Sequence, residues 1–274
     1  MNDIVSVSSL KEVEKEVAKA DKTALVIFDV DEVLITTEDH FIHPYADKTF
    51  MGMIYQAAKK ALTDHERKDL EETISLSIVL PKRILVEDHT PSFIYGLRDE
   101  GYKTMALTSC PTGNFGVIPQ IERWRIDHLR GLNICFASSF PEFERHSLES
   151  FTNQKKLQTG LPAPFTHLPL FEEGILFSYG YKKGAVLKEF FQKNGLCPSQ
   201  VLFVDDLMEN LQSVKDELSA MGIPFKGFHY QGAAKHFKPL NEKILHYQFH
   251  HLMKTRTWLS DSEVAYHLSL HSES

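Results

Sequence analysis

The chain has 274 residues, long enough to bury roughly three quarters of its unfolded surface in a full core with a smaller accessory unit. Its 42% hydrophobic and 24% charged residues exclude a disordered chain, and a formal charge of -7 argues against a protein built to grip a phosphate backbone, so no nucleic-acid partner is expected. Three cysteines, Cys110, Cys135 and Cys197, lack CxxC or finger spacing, which encodes neither a disulfide framework nor a structural zinc site and fits a reducing, cytoplasmic setting.

Met1 to Lys22 alternates Lys and Glu rather than opening on a basic start and an apolar block, so no secretory signal is expected. Apolar stretches stay far below the ~20 residues that cross a bilayer, so no membrane partner is expected either. Leu10, Val13 and Val17 recur at helical spacing and predict a helix over Ser9 to Lys19. It leads into the all-apolar run Ala24 to Phe28, which reads as a strand buried on both faces. Pro91 to Glu100 reads as a short helix ended by Gly101, with a strand at Tyr102 to Leu107. Ile118 to Arg130 and Leu132 to Phe136 read as a second helix and strand. Lys183 to Lys193 brings Val186, Leu187, Phe190 and Phe191 to one face before a strand at Val201 to Val204. Leu207, Leu211, Val214, Leu218 and Met221 then mark a helix stopped by Gly222, with a strand at Ile223 to Phe228.

Helix, stop and strand in this alternation predict an α/β fold, a doubly wound Rossmann-like parallel sheet covered on both sides. Residues 36–87 interrupt it with a helical run around Ile54 to Leu70, and residues 138–179, rich in Pro, Phe and Ser, read as an irregular excursion with a hairpin. The expected division is a core of 1–35 and 88–230, a helical insertion at 36–87, an irregular insertion at 138–179, and a helical extension at 231–274. Insertions at the carboxyl ends of strands are where an α/β protein builds its substrate site.

Four short motifs stand at predicted strand ends or helix starts. The first strand ends Phe28-Asp29-Val30-Asp31-Glu32-Val33-Leu34, and two carboxylates one residue apart can divide nucleophilic or metal-binding work from proton transfer. Alone, the pair reads first as a solvated acidic turn. Leu107-Thr108-Ser109 supplies hydroxyls, which taken singly read as turn caps. Lys182-Lys183-Gly184 opens a helix, where a cation opposes the helix dipole. Val204-Asp205-Asp206 ends a buried strand; Asp206 as a helix N-cap explains one acid and leaves Asp205 over. Together the acid pairs would repel one another without a cation between them, and oxygen-only ligation favours Mg²⁺. The hydroxyl and the lysine would complement phosphoryl oxygens.

In order and local sequence these motifs, FDVDEVL, LTS, KKG and FVDD, resemble those of the haloacid dehalogenase (HAD) superfamily, over about Ala24 to Phe228. The segment GILFSYGYKKGAVL, the FHY strand and WLSDSE are similar to an uncharacterised bacterial branch of it, a domain of unknown function. The resemblance implies a HAD-like core with a helical cap at 36–87, acting as a Mg²⁺-dependent phosphomonoester hydrolase through an aspartyl-phosphate. Asp29 would be the nucleophile and a metal ligand. Asp31 would protonate the leaving oxygen and then activate water, its carbonyl also touching the metal. Thr108 would bind phosphoryl oxygens, Lys183 would neutralise charge, Asp205 would complete the metal site, and Asp206 would assist it. The substrate would be a small phosphorylated molecule. Glu32 departs from the pattern, since many members carry glycine or another small residue there. Asp31 favours phosphoryl over dehalogenation chemistry.

Other readings fit less. A receiver domain has its acid pair first and its lysine last, and Cys110 lacks the arginine of a cysteine-phosphatase loop. No GxGxxG or GxxxxGK[ST] supports nucleotide binding. His246 and His250 stand four apart without the glutamate of HExxH. A slow HAD-fold protein acting as a partner-binding module and a phosphotransferase are the alternatives to a hydrolase.

Overall fold

The structure is a computed structural model and describes residues 3–39, 52–54, 56–57, 60, 63–152 and 168–270. In chain order its first half comprises β1 (Ile4–Val7), α1 (Leu10–Val17), β2 (Leu25–Phe28), β3 (Ile35–Thr37), α2 (Asp64–Val79), β4 (Arg83–Leu85), α3 (Thr90–Asp99), β5 (Lys103–Thr108) and α4 (Ile121–Gly131). Then come β6 (His146–Ser147), β7 (Leu170–Glu172), β8 (Ile175–Phe177), α5 (Lys183–Asn194), β9 (Val201–Asp205), α6 (Met208–Ala220), β10 (Phe225–Tyr230), α7 (Glu242–Thr255) and α8 (Asp261–Leu270).

The main sheet runs β1-β10-β9-β2-β5-β8-β7-β6, parallel from β1 to β8, with β7 antiparallel to both its neighbours. β2 lies inside it and is apolar at every position, so its side chains need cover on both faces. Val26 and Phe28 enter one core with residues of α1, α3 and α4, while Leu25 and Ile27 enter another with Val186, Phe190, Leu211 and Leu218 of α5 and α6. The chain is therefore an α/β, Rossmann-like protein wound on both sides of a mostly parallel sheet. From β2 it proceeds through β5 to β8 in one direction, then returns to β9 and leaves through β10 in the other. The crevice above the carboxyl ends of β2 and β9 is thus the topological switch point, where such sheets bind ligands.

One predicted strand does not form. Leu132 to Phe136 is a loop with Asn133 at φ 60°, and its Ile134 and Phe136 are buried as plugs rather than paired. Its place beside β5 is taken by β8, from the stretch read as irregular. β7 and β8 form the expected hairpin through Glu173 and Gly174, both at positive φ, the backbone of a tight type I′ turn. Gly174 also lies under Phe136, whose carbonyl oxygen would be 2.4 Å from any Cβ there. The short edge strand β1 went unread, because four residues carry too little pattern.

Residues 36–87 leave and return through an antiparallel pair, with Ile35 opposite Leu85 and Thr37 opposite Arg83. Positions 52–54 and 56–57 are helical, and α2, opened by a Thr63–Glu66 capping box, continues past Leu70 to Val79. Positions 40–51 of this insertion and 153–167 of the other lie outside the described residues. The tail docks at the root of the insertion: Asp39 accepts hydrogen bonds from Trp258 Nε1 at 2.8 Å and from the Asp261 amide at 2.9 Å.

Candidate active site

Asp29 follows β2 directly, and its amide donates to the Val204 carbonyl of β9 at 2.8 Å, so the end of one strand is fastened to the next. The chain then closes a tight turn, with the amides of Leu34 and Ile35 donating to the Val30 carbonyl and that of Glu32 to the Ile35 carbonyl. The turn needs a left-handed residue, and Glu32 adopts φ 60°, a conformation that costs a side-chain-bearing residue about 1 kcal/mol. Its buried carboxylate accepts from Thr36 Oγ1 at 3.0 Å, and burial first, then Asp31 and Asp206, push its pKa up to about 8.

Lys183 is the centre of the site. Its side chain is 1% exposed, and Nζ lies 2.7 Å from Asp29 Oδ2 and 2.8 Å from Asp205 Oδ2. It sits on the first residue of α5, held close to α6 because residue 184 is glycine: a Cβ there would stand 2.0 Å from the Ser213 carbonyl oxygen. Lys182, by contrast, points to solvent. Burial opposes the Lys183 charge, but Asp205 and Asp29 outweigh it and raise its pKa.

Asp205 ends β9, and its Oδ1 accepts from the Leu207 amide at 2.8 Å and from Asn210 Nδ2 at 3.0 Å. The N-cap of α6 is Leu207, so Asp206 does not cap that helix as the sequence suggested. Asp206 instead joins the cluster: carboxylate oxygens of Asp29, Asp205 and Asp206 all lie within 4.8 Å of one another. Burial raises the pKa of Asp29, with Asp205 and Asp206 adding to it against Lys183. Burial and Asp205 bring Asp206 up to about 7. Three carboxylates around one ammonium are under-neutralised, and an all-oxygen donor set of this kind could hold a hard divalent cation.

Thr108 ends β5, the strand beside β2, and is 1% exposed. Its Oγ1 accepts from the Cys110 amide at 3.1 Å, which leaves the hydroxyl proton available to a ligand, and its carbonyl is fixed by the Ser178 amide at 2.8 Å. Asp31 stands apart from the cluster. Its carboxylate faces Arg125 Nη2 at 3.1 Å and Arg83 Nε at 3.9 Å. Partial burial opposes its ionisation, yet Arg125 and then Arg83 hold its pKa below the ordinary range. The structure thus brings Asp29, Lys183, Asp205 and Asp206 together, sets Thr108 on the adjoining strand end, and turns the Asp31 side chain toward two arginines.

Arg83, Arg125 and Asn210 were missed by sequence reasoning. Arg125 left one usable signal: it falls on the buried face of α4 with Ile121, Ile126 and Leu129, where a charge needs a reason.

Fold and site define an α/β protein with a buried acid–lysine cluster at the switch point of its sheet. The sequence matches the family described as a protein of unknown function, DUF2608, over residues 6–265, and the chain belongs to that family. An uncharacterized protein of Rickettsia prowazekii is 23% identical over 245 residues, 89% of this chain and 83% of its own. An uncharacterized protein of Rickettsia felis is 28% identical over 177 residues, and the match spans 60% of this chain and 56% of the length of that relative. A Chlamydia pneumoniae protein with a provisional outer-membrane name is 29% identical over 101 residues, 36% of this chain and 38% of its own. Among the described residues no helix is long and apolar enough to cross a membrane.

Proposed function

We propose that this protein is a Mg²⁺-dependent phosphomonoester hydrolase of the HAD type, cleaving a small phosphorylated substrate through an aspartyl-phosphate. The observation that carries this reading is Lys183, buried between Asp29 and Asp205 at 2.7 and 2.8 Å above the carboxyl ends of β2 and β9. A structural ion pair alone does not require a third acid, Asp206, at the same place. Asp29 and Asp205, with Asp206 beside them, would hold the metal, which when bound supplies positive charge to the phosphoryl oxygens and to the carboxylates.

Asp29 attacks phosphorus, the bond to the ester oxygen breaks, and the leaving oxygen takes a proton from Asp31. Lys183 and the Thr108 hydroxyl stabilise charge on the transferred oxygens. Water then attacks the phosphorus of the aspartyl-phosphate and gives its proton to Asp31, which frees phosphate and restores Asp29. Asp31 is ionised where Arg125 holds it, which suits this second step; service in the first requires it to part from Arg125 and to carry a proton, taken from solvent or kept from the water of the preceding turnover. Residues 36–87 act as the cap that keeps bulk water out. The free cysteines fit action in the cytoplasm.

The test is phosphate release from a phosphomonoester panel, with Mg²⁺ and with chelator, for the wild type beside Asp29→Asn. Metal-dependent release that falls at least about 10³-fold in the variant is expected, the scale on which an obligatory covalent step is lost. Substantial release by Asp29→Asn removes Asp29 as nucleophile. Product carrying phosphate on an added alcohol identifies a phosphotransferase.

A further inference from the structure

Arg83 and Arg125 are more than the hydrolase needs to hold one aspartate. Both side chains are 4% exposed, whereas the side chain of Asp31, the aspartate they share, is 41% exposed. Arg83 also donates through Nη1 to the Ile78 carbonyl. Among the described residues Nε and Nη1 of Arg125 have no well-aligned acceptor, the neutral Cys110 thiol being a weak hydrogen-bonding neighbour of the guanidinium. A guanidinium presents five donors in a planar fork, and burying such a charge is costly unless it is paired and its donors are met. Two buried cations here share one half-exposed anion.

Among the described residues the surroundings do not supply the missing negative charge: Glu32, which acts on Arg83, is pushed up to about 8 by burial. Cys110, beside Arg125, stays a neutral thiol because burial pushes its pKa up to about 11. His128, on α4 with Arg125, registers the excess positive potential: burial first, then Arg125 and Arg83, bring its pKa down to about 4. The Trp124 ring, 5.2 Å from the Arg125 guanidinium and 5.6 Å from that of Arg83, steadies both groups without neutralising either. The way to the pair from solvent is at Asp31, two residues from the proposed nucleophile.

We infer that Arg83 and Arg125 form a docking subsite for a second oxyanion on the substrate, so that the ester cleaved at Asp29 also bears a carboxylate or a further phosphate group. This rests on the hydrolase reading. The entering oxyanion replaces the Asp31 carboxylate on the Arg125 fork, matching it in shape and charge. Asp31 is then free to turn to the reacting oxygen. Arg83 comes from β4 at the root of the insertion and Arg125 from α4 of the core, so one substrate group engages both parts of the chain.

The experiment compares kcat/KM within pairs of esters matched in size: phosphoglycolate with ethyl phosphate, and propane-1,3-diol bisphosphate with propyl phosphate. Each pair is run on the wild type and on Arg125→Gln, Arg125→Lys and Arg83→Gln. The wild type is expected to prefer the doubly anionic member of at least one pair by about tenfold or more, as charge-assisted hydrogen bonds provide. The preferred pair tells carboxylate from phosphate. In Arg125→Gln and Arg83→Gln the ratio falls toward one, with Arg125→Lys between. A ratio taken within one variant cancels any effect of the substitution on folding, and Arg83→Gln, which leaves the Arg125–Asp31 pair at 3.1 Å in place, reads the subsite apart from the release of Asp31. Hydrolysis with wild-type ratios near one in both pairs overturns the subsite and leaves the hydrolase standing, as does a preference retained in both glutamine variants. No hydrolysis of any ester overturns the hydrolase reading and the subsite with it.

Discussion

His128 shows how charge at the site reaches a neighbour that touches no substrate in the scheme above. Its imidazole would take up a proton at its ordinary 6.5 in the unfolded chain, but burial, Arg125 and Arg83 delay this to about 4 in the folded one. Between those values the unfolded chain binds more protons, so this contribution to stability is present above pH 6.5 and lost as pH falls toward 4. The slope from one such group cannot exceed about 1.4 kcal/mol per pH unit. His128→Gln is therefore expected to flatten the acid limb of stability, read as urea midpoints at pH 7 and pH 4.5; an unchanged difference between the two would remove the arginine field as its cause. At this scale the sequence spoke clearly only where a residue type was out of keeping with its local pattern. Asp29, Lys183 and Asp205 interrupt apolar runs or open a helix with the wrong charge, and they were legible for that reason. Glu32 was legible as a departure, though its left-handed backbone was not, since nothing in the residue type announces it. Arg83 is set by a crossing of distant segments, Asp31 and Trp124 among them, and has no local signature.

Among the elements, α5 and α6 position the lysine by coming unusually close. Gly184 permits this, because a Cβ there would fall 2.0 Å from the Ser213 carbonyl oxygen and 2.5 Å from its carbon, both backbone atoms that cannot swing aside. Gly184→Ala must push α5 off α6, at about 1 to 3 kcal/mol for overpacking. It also shifts Lys183, one residue away. A displacement near 1 Å can cost about 10²-fold in rate, so phosphate release should fall more than tenfold in a variant that still melts cooperatively. Loss of stability with full activity would show that Lys183 is placed independently of this contact. Elements with sustained periodicity, such as α1, α3, α5 and α6, were readable because one face is buried and nothing else competes. The third strand on that side of the sheet was misassigned for the opposite reason. Leu132 to Phe136 and Ile175 to Phe177 are both short apolar runs, and which one pairs with β5 is decided by the tight Glu173–Gly174 turn and by Phe136 packing over it.

Over the whole molecule, the chain gathers Asp29, Asp205 and Asp206 at the ends of two strands and, among the described residues, returns only Lys183 as a counter-charge, so its stability should depend on what else it binds. In chelator the three carboxylates repel, and Asp206, already raised to about 7 by burial and Asp205, is the one whose removal relieves most at least structural cost, because it makes no contact with Lys183. Asp206→Asn is expected to raise the melting temperature of the metal-free protein by about 2 °C, the shift that roughly 1 kcal/mol produces in a domain of this size. Saturating Mg²⁺ should reverse the order. A ligand at 100 times its Kd adds about 2.7 kcal/mol, or about 5 °C, to a chain that binds it only when folded. The wild type should gain this fully and Asp206→Asn only in part. The two melting curves would then cross between chelator and cation, a result that needs neither substrate nor turnover. If Mg²⁺ and Mn²⁺ leave the wild type unmoved, the carboxylate cluster is not a cation site, and Lys183 must be accounted for as the partner of Asp29 and Asp205 alone.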